Sequence, residues 1–234
     1  MDAQPAAVVR VADCNWMQVE EYLQHDDRAV LPVGSTEQHA YLSLATDSIL
    51  AERIAVDAAE PLGVLVLQAM PFGIAPGFAA FPGTVSLRPE TLVAVLVETL
   101  GTLRGQGFRR FLIVNGHGGN TPARAPLEAW GARWHDWWDS PAVREEAAAV
   151  YPGDATHASW FESFPWTRVT GVELPTEEKP MVTDREALRE LEPAAVRAAI
   201  GDGSYGGPYA VSDEEALRVW NAGVTEVRAL IESL

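Results

Sequence analysis

The chain has 234 residues, enough to bury a full core within one domain. Its 17 Lys and Arg stand against 33 Asp and Glu, a formal net charge of -16 that argues against nucleic-acid backbones and anionic membrane surfaces as partners. A single cysteine, Cys14, excludes an internal disulfide, and no uninterrupted apolar stretch approaches the roughly 18 residues of a membrane span.

The opening residues, MDAQPAAVVRVADC, lack a positively charged start followed by an apolar core, so the expectation is a cytoplasmic enzyme or binding protein. Short apolar runs bounded by Gly, Pro or Asn then read as buried strands. The first is AVLPVG, residues 29–34. A helix is expected over 46–60, where Ile49, Leu50, Ile54 and Val56 recur at helical intervals and Thr46 or Asp47 suits the first turn. GVLVLQAM, 63–70, is the second strand. A helix over 88–107 follows, with Pro89 in its first turn and Gly105 and Gly107 ending it.

RRFLIVNG, 109–116, is the third strand. The segment 121–139 carries Leu127, Trp130 and Trp134 on one helical stripe, and AAAVYPG, 147–153, reads as a fourth strand. A helix over 183–200 is interrupted near Pro193, a Gly-rich loop fills 201–213, and a closing helix runs from 213 to the end. Strands alternating with helices predict a single α/β domain over 1–234, a mostly parallel central sheet flanked by helices on both faces.

In such sheets ligands gather beyond the carboxyl ends of the strands. Two unusual stretches fall there. GSTEQHAYLSLATD, 34–47, follows the first strand and supplies Glu37, His39 and Asp47, a donor set suited to zinc, manganese or a similar divalent ion. Glu37 and His39 share a face in extended backbone, and Asp47 at the next helix can fold back toward them. NGHGGN, 115–120, follows the third strand and holds His117 among three glycines, with Asn115 and Asn120 bracing the loop. A third cluster, DATHASWFES, sets His157 and Glu162 five residues apart. His157 suits proton transfer near neutral pH, and Glu162 suits a ligand or its hydrogen-bonded support. The tryptophans at 130, 134, 137 and 138 are expected in packing or a subunit contact.

In order along the chain, PVGSTEQHA, ATD, FPGTVSL, NGHGGN and HASWFES resemble the signature of the creatininase (creatinine amidohydrolase) family. The resemblance implies a layered α/β fold, a homo-oligomer such as a hexamer, and two divalent metal ions, Zn or Mn with Fe as a further option. By position, Glu37, Asp47 and His117 would hold one ion, and His39 with a bridging Asp47 the other. Creatininase adds a Glu two residues after the motif histidine, where this chain has Gly119, and Glu162 is the candidate replacement. The family's His-rich and Glu-His segments are here AYLSLATD and APGFAA, which makes the pocket more apolar and puts Tyr41 and Phe78 on its wall. Trp160 is expected over the substrate.

The function implied is hydrolysis of a C-N amide bond, other than an ordinary peptide bond, in a small, foremost cyclic, substrate by water activated between two metal ions, with His157 and Glu162 as catalytic groups. Formamide-like groups and peptides are further candidates. Opening of a cyclic ketone at the same site, or a metal-binding scaffold without turnover, are the alternatives.

Overall fold

The computed structural model describes residues 9–234, so the first eight residues lie outside it. Four parallel strands form the sheet: β1 (Arg28–Val33), β2 (Leu65–Val66), β3 (Arg110–Asn115) and β4 (Arg133–Asp136), in the spatial order β2-β1-β3-β4. β1 and β3 pair along their whole length, Arg28 opposite Arg110 through Val33 opposite Asn115. Their carboxyl ends therefore finish level, side by side.

Alternation along these two strands feeds two cores. Val30, Leu112 and Val114 point to one face, where α2 (Thr46–Ala59), α5 (Pro141–Val150) and α8 (Asp213–Glu232) cover them. Ala29, Leu31, Val33, Phe111 and Ile113 point to the other, under α1 (Trp16–Tyr22), α3 (Pro89–Gln106) and α4 (Arg124–Trp130). Both faces are dry, which is why β1 and β3 read as continuous apolar runs. Two short helices, α6 (Arg185–Arg189) and α7 (Pro193–Ile200), contribute Leu188, Val196 and Ile200 to a smaller third cluster with Phe78 and Phe81. Pro193 is the first residue of α7, where its missing N–H costs nothing.

The structure corrects the fourth strand. AAAVYPG is not a strand: residues through Val150 complete α5, capped by Ser140 and burying Val143 and Ala147, four apart, on the core side. The actual β4 lies inside the stretch expected to be helical. Gly131, at φ 105°, ends α4 in a left-handed turn, and Arg133–Asp136 then pairs with Leu112–Asn115. Trp134 is buried from this strand, beside Leu127 in the same core, so its helical spacing from Leu127 was coincidental. The second strand is also shorter than its apolar run, with Leu65 and Val66 alone in the ladder.

The end of β1 depends on a close approach. A Cβ on Gly34 would lie 2.4 Å from the backbone N and Cα of Ser48, so the first turn of α2 rests directly on that glycine. Gly34→Ala is expected to cost about 2–3 kcal/mol by overpacking. Gly101→Ala, in the exposed middle of α3 with open space around its Cβ position, should instead gain up to about 1 kcal/mol of helix propensity. Urea midpoints of the two variants, moving in opposite directions from the parent, are the check.

Candidate metal centre

The strand order reverses direction between β1 and β3: the chain leaves β1 through α2 toward β2 on one side, and β4 follows β3 on the other. A crevice opens at such a switch point, beyond the carboxyl ends. The loop after β1 carries Glu37 and His39 into it, α2 delivers Asp47 in its first turn, and the loop after β3 delivers His117. All four are buried, with Glu37 and His39 each only 1% exposed.

Asp47 is the centre of the cluster. Its Oδ1 lies 3.0 Å from His39 Nε2, its Oδ2 3.0 Å from His117 Nδ1, and the Ser35 hydroxyl donates to Oδ2 at 2.8 Å. Glu37 Oε1 is 3.4 Å from His117 Nδ1, and Glu162 Oε2 is 3.7 Å from His39 Nε2. Three groups of potential ligand atoms fall within 4.8 Å of one another: Glu37, Asp47 and His117; His39, Asp47 and Glu162; and Glu37, His39 and His157. The first two share Asp47.

The donors fit divalent cations on direct evidence from the cluster. Neither carboxylate oxygen of Glu37 has a hydrogen-bond partner, although both are buried, and an ionised carboxylate in that setting calls for a cation. The electrostatics agree. Burial pushes Glu37 and Glu162 up to about 7. Burial acts against charge on His39 and His117 too, but the surrounding carboxylates overcome it and raise them to about 10 and about 9. Asp47, which burial alone would raise, is held well below the usual carboxylate range by both imidazoles. Positive charge on His39 and His117 thus offsets the carboxylates of Glu37, Asp47 and Glu162 within the cluster.

The two imidazoles are pre-oriented for metal. His39 sets Nε2 on Asp47 and Nδ1 3.2 Å from the Glu37 carbonyl; His117 sets Nδ1 on Asp47 and Nε2 3.0 Å from the Ile74 carbonyl. The carbonyl keeps the far proton and fixes the tautomer, leaving the near nitrogen to bind. Asn115 and Asn120 brace this arrangement as expected from sequence. The Asn115 side chain accepts from the His117 N–H and donates to its carbonyl, and Asn120 links Gly34 to Ile74.

His157 and Glu162 converge although they are five apart. Ala158 adopts a left-handed φ of 54°, and a short 3-10 turn, Trp160–Glu162, brings the Glu162 carboxylate back to accept from the Ala158 N–H at 2.6 Å. Burial, with His39 adding to it, pushes His157 well below its ordinary value and keeps it neutral. Its Nδ1 is 3.6 Å from Glu37, and Phe78 stacks on its ring at 4.8 Å.

The cluster opens into a cavity of about 1060 Å³. Phe78 lines it. Trp160 does not: it is 1% exposed and belongs to the core beside Trp137 and Phe161. Tyr41 also lies off the cavity, packed edge-on against Tyr209. Trp138, assigned by sequence to packing, is on the cavity wall, as are Tyr205, Arg185 and Arg189. Only tertiary placement reveals these. Gln38, buried inside the recognised stretch, donates from its amide to the Gly203 carbonyl and places that same nitrogen 2.9 Å from His157 Nε2. At Gly119 a Cβ would sit 2.1 Å from the Ile74 carbonyl and 2.4 Å from His117 Nε2, leaving no room for a glutamate in the present backbone.

Fold and site together define a doubly wound α/β protein with a buried carboxylate–imidazole cluster at its switch point, suited to divalent cations. The chain belongs to the creatininase family, described as creatinine amidohydrolase, which it matches over residues 12–231. It is 32% identical over 216 residues to the mycofactocin precursor peptide peptidase of Mycobacterium tuberculosis H37Rv, aligning 84% of this chain with 81% of that one. It is 33% identical over 103 residues to 3-dehydro-scyllo-inosose hydrolase of Thermotoga maritima, a match covering 43% of this chain but only 33% of that protein. A crystal structure of creatinine amidohydrolase shares the fold, with a TM-score of 0.76 at 22% identity over 98% of both chains. Creatininases of this fold are named with Mn and as a Zn-Zn type.

Metal loading is expected to expel protons. At pH 7 His39 and His117, raised to about 10 and about 9, are both protonated, and a cation on either near nitrogen displaces one proton. Apparent affinity for manganese or zinc should therefore fall as pH drops from 9 toward 6. Calorimetry in buffers of different ionisation enthalpy should count more than one proton released per chain; release of none would show that the imidazoles are not displaced.

Proposed function

We propose that the protein is a metal-dependent hydrolase that cleaves a C-N amide bond, using two divalent ions, Zn or Mn. The observation that carries this reading is the pair of ligand groups sharing Asp47, with His157 beside them and the cavity opening over both. Glu37, Asp47 and His117 would hold one ion; His39, Asp47 and Glu162 the other.

Bound there, divalent cations supply Lewis acidity, which lowers the pKa of water and polarises the amide carbonyl. The protein contributes the rest. His157, neutral and facing the cluster through Nδ1, accepts a proton from the attacking water and returns it to the leaving nitrogen. Gln38 holds the far edge of that ring, offering both an amide donor and its own carbonyl 3.0 Å from Nε2, so either tautomer is satisfied during the transfer. Phe78, stacked on the ring, fixes its plane and keeps water from its face.

The cavity bears on substrate size. About 1060 Å³ sits at the top of the usual range for small-molecule sites, about 300–1,000 Å³, and suits an extended amide better than the compact ring expected from sequence. The relative aligned over 81% of its own length is a peptide peptidase, whereas the ring hydrolase aligns over 33% of its length. A peptide-like amide is therefore the favoured substrate.

Metal analysis of purified, manganese- or zinc-loaded protein should find about two ions per chain. Glu162→Gln is expected to lose one of them and to weaken binding by about 10–100-fold. His157→Gln should keep both ions and lose about 10²–10⁴-fold in kcat on an amide substrate. Full metal content and undiminished turnover in both variants would remove these residues from the assigned roles.

A further inference from the structure

The cavity has a second charged wall. α6 contributes Arg185 and Arg189, one helical turn apart and so on one face. Arg144 lines the same cavity but is paired with Asp139 at 2.6 Å, and Arg185 is paired with Asp154 at 3.0 Å. Arg189 makes no ion pair or side-chain hydrogen bond among the described residues. An unpartnered guanidinium facing a cavity stands out in a chain with a net charge of -16 and a single lysine.

The position of this pair relative to the metal centre follows from Tyr205. Its ring is 5.3 Å from the His157 ring and 6.1 Å from Phe78. Burial, and secondarily the charge of Glu37, push its phenol up, while Arg189 and Arg185 pull the other way. Tyr205 lines the same cavity as Glu37, Asp47, His157 and both arginines. A ligand filling the cavity would therefore touch the carboxylate–imidazole cluster, His157 and Tyr205 as well as the arginines.

We propose that Arg185 and Arg189 bind the free carboxylate of an extended, peptide-like amide whose C-N bond lies over the metal centre. The assignment rests on the amidohydrolase reading for the bond cleaved, and on the cavity and its charges for the anion. The net charge of -16 opposes approach of an anionic substrate, so a local cationic wall orients it as well as holding it. The planar fork of arginine matches both oxygens of a carboxylate, which a lysine does not. Asp154, exposed and already on Arg185, is the group that a substrate carboxylate would displace.

The test uses the full, manganese-loaded chain and two probes, an N-acetylated tetra-alanine with a free C-terminal carboxylate and the same peptide amidated. Binding is followed by calorimetry and cleavage by mass spectrometry. The acid should bind at least about tenfold more tightly than the amide, in keeping with charge-assisted pairing. Arg189→Met with Arg185→Met should erase the preference, Arg189→Lys should retain part of it, and Arg88→Met, at the exposed start of α3, should leave it intact. Arg189 and Arg88 are exposed and Arg185 is half-buried, and unchanged thermal melts would confirm folding. Equal affinity for acid and amide, binding of neither at millimolar concentration, or a preference that survives the double substitution would each overturn the assignment. Cleavage of both probes without preference would keep the amidohydrolase and discard the arginine site. Tight, arginine-dependent binding of the acid without cleavage would keep the arginine site and count against the amidohydrolase.

Discussion

The carboxylate of Asp47 is the interaction on which the rest of the site depends. One oxygen meets His39 and the other meets His117 and Ser35. That side chain therefore joins the loop after β1 to the loop after β3, and it belongs to both ligand groups that share it. Its position is set by backbone contacts: α2 begins against Gly34, and the Asp47 carbonyl is so close to Gly116 that a Cβ there would lie 2.2 Å from it. The helix N-terminus also favours a negative charge in its first turn. Geometry and electrostatics agree on one placement.

A wider ring of contacts holds the groups around it. The chain's single lysine, Lys179, directs its ammonium to the carbonyls of Ile200 and Ser204 and to Asp202. Tyr209 donates to the same Asp202. These bonds pin the Gly-rich loop that sequence left as a bare glycine run. Gly203, at φ 108°, presents its carbonyl to Gln38, and the Tyr205 N–H donates to the His157 carbonyl. The loop thus reaches His157 from both ring and backbone. A histidine held this way loses little freedom when a ligand binds, which is the physical value of supporting contacts.

The parts legible in the sequence were those with a local signal. β1 and β3 are buried on both faces, so each appears as an apolar run, and the charged motifs stand out because they follow those runs directly. Glu37, His39, Asp47 and His117 could be grouped from order and residue type alone. β4 could not: RWHD is a four-residue edge strand whose Trp134 matched a helical stripe by chance. AAAV mimicked a strand because a short alanine run carries no period that separates strand from helix. Trp160 was misplaced for a related reason. An aromatic ring beside a site residue can turn toward the cavity or the core, and the 3-10 turn sends this one to the core. Tyr205 and the arginines of α6 come from distant segments and left no pattern near the motifs.

The exchange of Gly119 for the family's glutamate ties these observations together. With no space at position 119 between Ile74 and His117, the remaining acidic donor beside His39 is Glu162, held by the Ala158 N–H in a left-handed turn. That turn follows His157 directly, and the segment just before it supplies Thr156 and Asp154 to the cavity wall. Thr156 donates to the Gly206 carbonyl and Asp154 pairs with Arg185. A short stretch of chain therefore carries Glu162, His157 and Asp154, the residues proposed as metal donor, as proton-transfer group and as neighbour of the anion site. On that proposal, metal geometry and substrate reception are properties of one segment. Under the proposed assignment, a change at Asp154 would reach Glu162 along eight residues of continuous chain that pass through His157, not across the width of the cavity.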